Sequence, residues 1–588
     1  MKKFLLIILL FFCQFVFSQN EFLLAENYYR QNEFEKATQL YKILYQKSPY
    51  NTSYLTRLLS CYQETKNFSE AEKLITSQLA KNNKLAHLYV YLGYNYECQQ
   101  QEQTAKTYYK KAISLIKENP GMGYIVGTTF KNYNLLDNAI QAYKITMEVN
   151  PKANTLFLIA QVYGEKGDFV SMFESFIDMV DKDDRYLEMV QRYTSKYITD
   201  DSQDSLNLLF KKTLLKKSAS NPKAVWNLLL SWLFIQQKDF DKAFIQEKAL
   251  YARNQQDLSG ITNLGEMAFD NNDYETAKKC FDFVLKQTTT LDQKINAHYY
   301  IIRIAINNEE PDIAQKFEAL FEKYGKNGTT IPLQVMYADY LTFNKNNPEK
   351  AKEVLEQAIP FSKSKFDKAR LEIKLADVMV FTGNFNKALI TYSLVQTALK
   401  NNSLAQEARF KVAQTSYFKG DFDWAKTQLK ILKSAASQLI ANDAVALFLT
   451  ISNNQPTDSL PTGLKQYAKA DLLAYQNKNT EALAVLQNIV TDFKGQPIED
   501  EALFKEGKLL VKLKKFDQAI AAFSKVVAID KEGILNDDAY YEMAQLYSET
   551  NDFEKAKECY QKIIFNYPSS IYLVDARKKY RKLRGDNI

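Results

Sequence analysis

Few residues in this chain have the type and spacing that chemistry requires. His87 and His298 are its only histidines and lie far apart, and no His-Glu-x-x-His, Cys-x-x-Cys or EF-hand spacing accompanies them. A zinc or calcium centre therefore lacks its ligand set. Glu499-Asp500-Glu501 and Asp537-Asp538 look like carboxylate pairs for general acid–base work. Both groups, however, stand at the same place before an alanine, Ala502 and Ala539, so they read better as acidic residues in a first helical turn, where the helix dipole favours them. Gly325-Lys326 sits in a turn without the upstream glycine or the Lys-Ser/Thr junction of a phosphate loop. Neither Gly-x-Ser-x-Gly nor Gly-x-Gly-x-x-Gly occurs. We expect no catalytic residue, no cofactor-binding residue and no metal ligand; an enzyme built on carboxylates alone is the alternative, since such sites leave little linear trace.

The elements that would position any site are far more legible. Alanine recurs at Ala37, Ala71, Ala105 and Ala139, then at Ala277, Ala314, Ala351, Ala388 and Ala425, and again at Ala482, Ala519 and Ala556. A large residue follows four places on at Tyr41, Tyr109, Tyr143, Phe281, Tyr392, Phe523 and Tyr560. An earlier small residue belongs to the same register, as at Ala25, Gly93, Gly127, Gly265, Ala413, Gly507 and Ala544. Spacings of three and four place residues on one helix face. Small residues let two helices approach, and the large ones fill the space beside them. Turns such as Gln31-Asn32-Glu33-Phe34, Lys166-Gly167-Asp168-Phe169, Lys419-Gly420-Asp421-Phe422 and Thr550-Asn551-Asp552-Phe553 predict a left-handed residue ending one helix and a cap opening the next.

This pattern resembles the tetratricopeptide repeat (TPR) family. Asn32-Glu33-Phe34-Glu35-Lys36-Ala37 with Tyr41, and Asn551-Asp552-Phe553-Glu554-Lys555-Ala556 with Tyr560 and Pro568, match the second-helix signature; Leu92-Gly93 with Tyr96, and Leu546-Tyr547, match the first. The resemblance implies an all-α fold, a right-handed α-solenoid superhelix of about twelve or more helix-turn-helix units at the ~34-residue family period. Tyr567-Pro568-Ser569-Ser570 is similar to a repeat junction of TPR proteins from bacterial envelopes, although Phe493-Lys494-Gly495-Gln496-Pro497 departs from it.

Residues 1–18 read as a secretory signal peptide: Lys2 and Lys3, an apolar run from Phe4 to Phe17, and a cut after Ser18, with an uncleaved anchor as the alternative. Bulky Phe11 and Phe12 before Cys13 argue against a lipoprotein. The run is short for a membrane span, and no later segment is longer in apolar residues. Residues 19–180 form an N-terminal block with a 34-residue period, 181–222 a degenerate repeat with acidic clusters, 223–450 a middle block with a mostly 37-residue period, 451–464 a polar, turn-rich linker that we expect to mark a bend or hinge, and 465–588 a C-terminal block whose basic stretch from Arg577 to Arg584 belongs to a capping helix. Cys61, Cys98, Cys280 and Cys559 fall on repeat helices as small core residues, and pairing of Cys61 with Cys98 is left open. The net charge of +7, spread over 588 residues, gives no reason to expect nucleic acid.

In a TPR array the first helices line a groove. Tyr29, Arg57, His87, Tyr91, Tyr94 and Tyr124 are its candidate partner-binding residues; packing between repeats is the competing role for these tyrosines. We expect an exported, periplasmic or outer-membrane-associated, non-enzymatic scaffold for protein partners, with outer-membrane or secretion machinery as candidates. The alternative is a peptidoglycan- or carbohydrate-associated envelope protein.

Overall fold

A computed structural model describes residues 21–586 apart from 256, 401, 436–437, 456–462 and 531. The expected signal peptide, and half of the expected linker, residues 456–462, lie outside the described residues. Among the described residues there is no strand: helices alternate with short turns throughout. Contacts divide the chain into two compact units, residues 1–254 and 255–588.

The hairpin of Ala86–Glu97 and Glu102–Glu118 shows why these residues fold as they do. Ala105 is buried in the second helix, and Tyr109, one turn on, lies over Gly93 of the first. A Cβ built on Gly93 would stand 2.4 Å from the Tyr109 ring. The same close approach pairs Gly127 with Tyr143 at 2.3 Å and Gly507 with Phe523 at 2.5 Å. Glycine is thus required here by ring packing, as the register predicts. Left-handed residues end the first helices at Asn32, Gly167, Gly420 and Asn551, as expected. Lys66, Gln100, Lys238 and Lys514 adopt the same conformation without the composition that announces it. Asp168 and Asp273 then cap the following helices, accepting from the backbone N–H of Ser171 and Thr276.

One position departs from the alanine register. Ala314 is only half-buried, and Ile313 with Phe317 takes the packing role. Its helix, Ile313–Tyr324, opens late, after Glu309 and Asp312 have both turned left-handed. In the first unit, Met172 and Phe176 fill the alanine and tyrosine positions and are buried. The irregular region 181–222 still forms two helices, Leu187–Thr194 and Ser205–Ser220, which pack on the helices before and after them rather than on each other. Its long connection is fastened by fully buried Asn207, whose amide donates to the carbonyls of Thr199 (2.9 Å) and Asp201 (2.6 Å). The nearby acidic cluster is neutralised by Lys217 and Lys223, both paired with Asp181.

In the second unit the helix Gln438–Asn454 precedes the linker, and Leu464–Tyr475 follows it. The latter packs back on Ser403–Lys419, where the Tyr417 hydroxyl donates to Asp471 at 2.9 Å. Its end is tied further back still. Gln476 donates to the Phe381 carbonyl at 2.7 Å, and Asn477 donates to the Phe343 carbonyl. Phe343 belongs to a π-helical turn, Tyr340–Asn344, that extends the helix Ile331–Asp339. Asp537 and Asp538 lie in the first turn of Asn536–Glu549, and Glu499, Asp500 and Glu501 in that of Ile498–Lys512, as read from the sequence.

Candidate functional site

In the first unit, Arg57 of the helix Thr52–Glu64 reaches back to the 21–30 helix. It donates to Glu26 at 2.7 Å and lies 4.3 Å from the centroid of the Tyr29 ring. Burial of Glu26 raises its pKa, but the hydrogen bonds from Tyr41 and Arg57 outweigh this and hold it below the usual carboxylate range. One repeat on, the Tyr91 hydroxyl meets Thr56 at 3.3 Å, and the Tyr91 ring stands edge-on to His87 and Tyr133. Tyr94 stacks on Tyr133 at 3.9 Å. Tyr133 in turn donates to Gln63 at 2.8 Å, and Gln63 donates to the Tyr91 carbonyl at 3.2 Å.

Five of the six candidate residues therefore fall into two contact groups, Tyr29 and Arg57 with Glu26, and His87, Tyr91 and Tyr94 with Tyr133 and Gln63. Tyr124 stands apart: it is exposed and donates to the Asn154 carbonyl. His87 and Tyr91 are buried, and desolvation pushes the His87 imidazole down to about 4, so it is neutral. Tyr133 closes a contact across 70 residues, which no within-repeat spacing announces.

A cavity of the first unit lies elsewhere. About 840 Å³ opens between the second helices Glu102–Glu118 and Leu136–Val149, lined by Lys106, Lys110, Ile113 and Gln141 among others.

In the second unit the first helices carry charge as well as rings. Asp377, 2% exposed, accepts from Tyr392 at 2.6 Å and pairs with Lys411 at 3.1 Å and Lys374 at 3.6 Å. Lys374 also holds Asp339 at 2.9 Å. Burial raises the Asp339 pKa despite that lysine; burial lowers that of Lys374, but the two aspartates more than restore it. Two cavities flank this network. One, of about 550 Å³, is lined by Tyr299, Arg303, Val335 and Arg370; the other, of about 260 Å³, by Phe343, Lys411 and Tyr475. They share Ile306, Met336, Asp339 and Lys374. A third, of about 780 Å³, lies over Tyr417, Tyr467, Asp471 and Lys505. Beside it Asn454 donates to Glu501 at 3.0 Å, and burial lifts Glu501 to about 7.

Among the described residues no three His, Cys, Asp or Glu side chains gather where they could hold a metal ion. Cys61 and Cys98 are both free thiols; Cys61 is buried, which pushes it up to about 12, and Cys98 is exposed. No described helix is long and apolar enough to cross a membrane.

Two family profiles described as tetratricopeptide repeat match residues 467–534 and 510–579. No curated protein matches the chain. Among solved structures, the APC/C hetero-tetramer Cut9–Hcn1 is similar at 15% identity, with 96% of each chain covered and a TM-score of 0.26. Naa15/Naa10 bound to HypK-THB is similar at 12% identity, 97% of each chain covered and a TM-score of 0.29. Yeast Tom70 is similar at 14% identity over 80% of this chain and 97% of its own, with a TM-score of 0.30. The profile matches cover the regular C-terminal hairpins, and the same glycine-under-ring packing recurs at Gly93 and Gly127 in the first unit. Residues 467–579 thus match the tetratricopeptide repeat family.

Proposed function

We propose that this protein is a non-enzymatic scaffold that binds segments of protein partners along the faces of its first helices. One observation carries this reading: successive first helices place open cavities, mixed aromatic and charged in lining, side by side in the second unit. Such a surface suits an extended or helical segment held by a few anchors, and a rigid repeat stack lowers the ordering cost of binding it. The apolar run from Phe4 to Phe17 behind Lys2 and Lys3 supports export, and with it work in a bacterial cell envelope beside outer-membrane or secretion machinery.

Crosslinking of the tagged protein in its native cells, followed by mass spectrometry, tests the proposal. Stoichiometric protein partners joined to first-helix residues are the expected result. Recovery of glycan fragments after protein partners are stripped would replace it with the carbohydrate-associated reading. Partners found only in the cytoplasm would overturn the export part alone.

A further inference from the structure

Arg303 sits on the helix Leu291–Asn307, half-buried, with its guanidinium 4.3 Å from the Phe269 ring centroid, 5.5 Å from that of Tyr299 and 5.6 Å from that of Tyr300. The guanidinium lies over these three rings. Its N–H groups are left without an acceptor: among the described residues Arg303 has neither a hydrogen bond nor an ion pair. Arg57 shows the contrast, since Glu26 fills its fork. A guanidinium fixed in this way is pre-organised for a bidentate carboxylate.

The surrounding groove narrows the ligand. Its charged lining is Arg303, Arg370 and Lys374 against Asp339 and Asp367. Both aspartates are already engaged, Asp339 by Lys374 at 2.9 Å and Asp367 by Arg370 at 3.4 Å and the Ser364 hydroxyl at 2.7 Å. One cation is left over. The rest of the wall is apolar, from Ile306, Ile331, Pro332, Val335 and Met336, which strengthens any charge pair formed there. A single negative charge matches one spare cation, whereas a phosphate's second charge would meet the two aspartates. Beyond Ile306 and Met336 the space continues into the neighbouring cavity toward Phe343 and Tyr475, so the ligand has room to run on rather than end.

We propose that Arg303 and the groove before it receive a Glu or Asp side chain, flanked by aliphatic residues, within an extended segment of a protein partner. This rests on the scaffold reading above and names the partner chemistry of one face. The test uses the full chain and short N-acetylated, C-amidated peptides, with Glu set among Leu and Ala and a matched set carrying Gln. A Glu preference of about tenfold is expected, the worth of one charge-assisted hydrogen-bonded pair. Arg303→Gln should abolish the preference. Arg303→Lys, which keeps the charge and loses the fork, should reduce it. A photo-crosslinking residue in place of Val335 should capture the Glu peptides.

Equal binding of Glu and Gln sets, or a preference that survives Arg303→Gln in a variant with native circular dichroism, overturns the proposal. So does tighter binding of phosphoserine peptides, or of peptides only when their C-terminal carboxylate is free. Protein partners crosslinked in cells without any Glu preference would sink this site and leave the scaffold standing. A preference retained where cells yield no protein partner would sink the scaffold instead.

Discussion

The two units use the same hairpin and furnish its first-helix side in opposite ways. In the first, tyrosines close on one another: Tyr94 stacks on Tyr133, Tyr133 donates to Gln63, and Gln63 donates to the Tyr91 carbonyl. In the second, buried charge takes that place, with Asp377 held by Tyr392, Lys411 and Lys374, and open cavities lie beside it. The comparison teaches that an aromatic-rich face is not by that fact a binding face. Rings that meet across repeats spend their surface on cohesion, and a polar network whose members are satisfied rigidifies the stack. Arg303, left without an acceptor, is the kind of group that cohesion does not explain.

The comparison breaks most sharply at the buried alanines both units share. Ala105→Asp and Ala519→Asp each bury an unpaired carboxylate and should cost about 4 kcal/mol or more. Because repeats contact only their neighbours, hydrogen exchange should show each variant unfolding its own hairpins while the other unit keeps its protection. Uniform loss across both units would end the modular picture.

Next in size is a change confined to the second unit. Asp377→Ala strands Lys411 and the Tyr392 hydroxyl and leaves Lys374 with Asp339 alone, at an expected cost of about 3–5 kcal/mol in denaturant unfolding. A cost near that of an exposed ion pair would show that the network is hydrated and the contrast between units overstated.

Acidity should separate the units by sign. His87 titrates near 4 when folded against an ordinary 6.5, so the unfolded chain binds the proton first, and the first unit loses stability as pH falls through that window. Glu501 titrates near 7 against an ordinary 4.5, so the folded chain holds the proton first. Its contribution is fully present below 4.5 and is lost as pH rises toward 7. Each effect amounts to about 3 kcal/mol at most. Between pH 5 and 6.5, hydrogen exchange corrected for intrinsic rates should weaken in protection around His87 on acidification and strengthen around Glu501. His87→Gln and Glu501→Gln should flatten the respective slopes; parallel slopes in both units would refute the assignment.

The smallest change sharpens the account of the aromatic face. Tyr133→Phe keeps the stack on Tyr94 and removes one hydrogen bond to Gln63, for about 1 kcal/mol. If it also weakens a crosslinked partner bound at Tyr29 or Arg57, that face serves recognition as well as cohesion.

Much of the fold was legible because the signal repeats at short range. Ala37, Ala71, Ala105 and Ala139 are all buried, and Gly93, Gly127 and Gly507 each lie under the ring four places beyond the register alanine. The slip at Ala314 was not legible, since it depends on where a turn releases the chain into its helix. The candidate residues were legible as first-helix positions, but those positions alone do not say that His87 and Tyr91 are buried or that Tyr133 meets Tyr91 and Tyr94.

What the sequence by itself determined is the hairpin and its repetition, because spacings of three, four and 34 or 37 residues are set within the chain and reach the core through local helix geometry. What only the tertiary structure decided is which polar groups meet between repeats: Tyr133 with Gln63, Asn477 with the Phe343 carbonyl, Asp377 between two lysines, and Arg303 over three rings with no acceptor. Those meetings depend on the rotation and offset from one hairpin to the next, which arise from the packing of whole helix faces and leave no periodic trace.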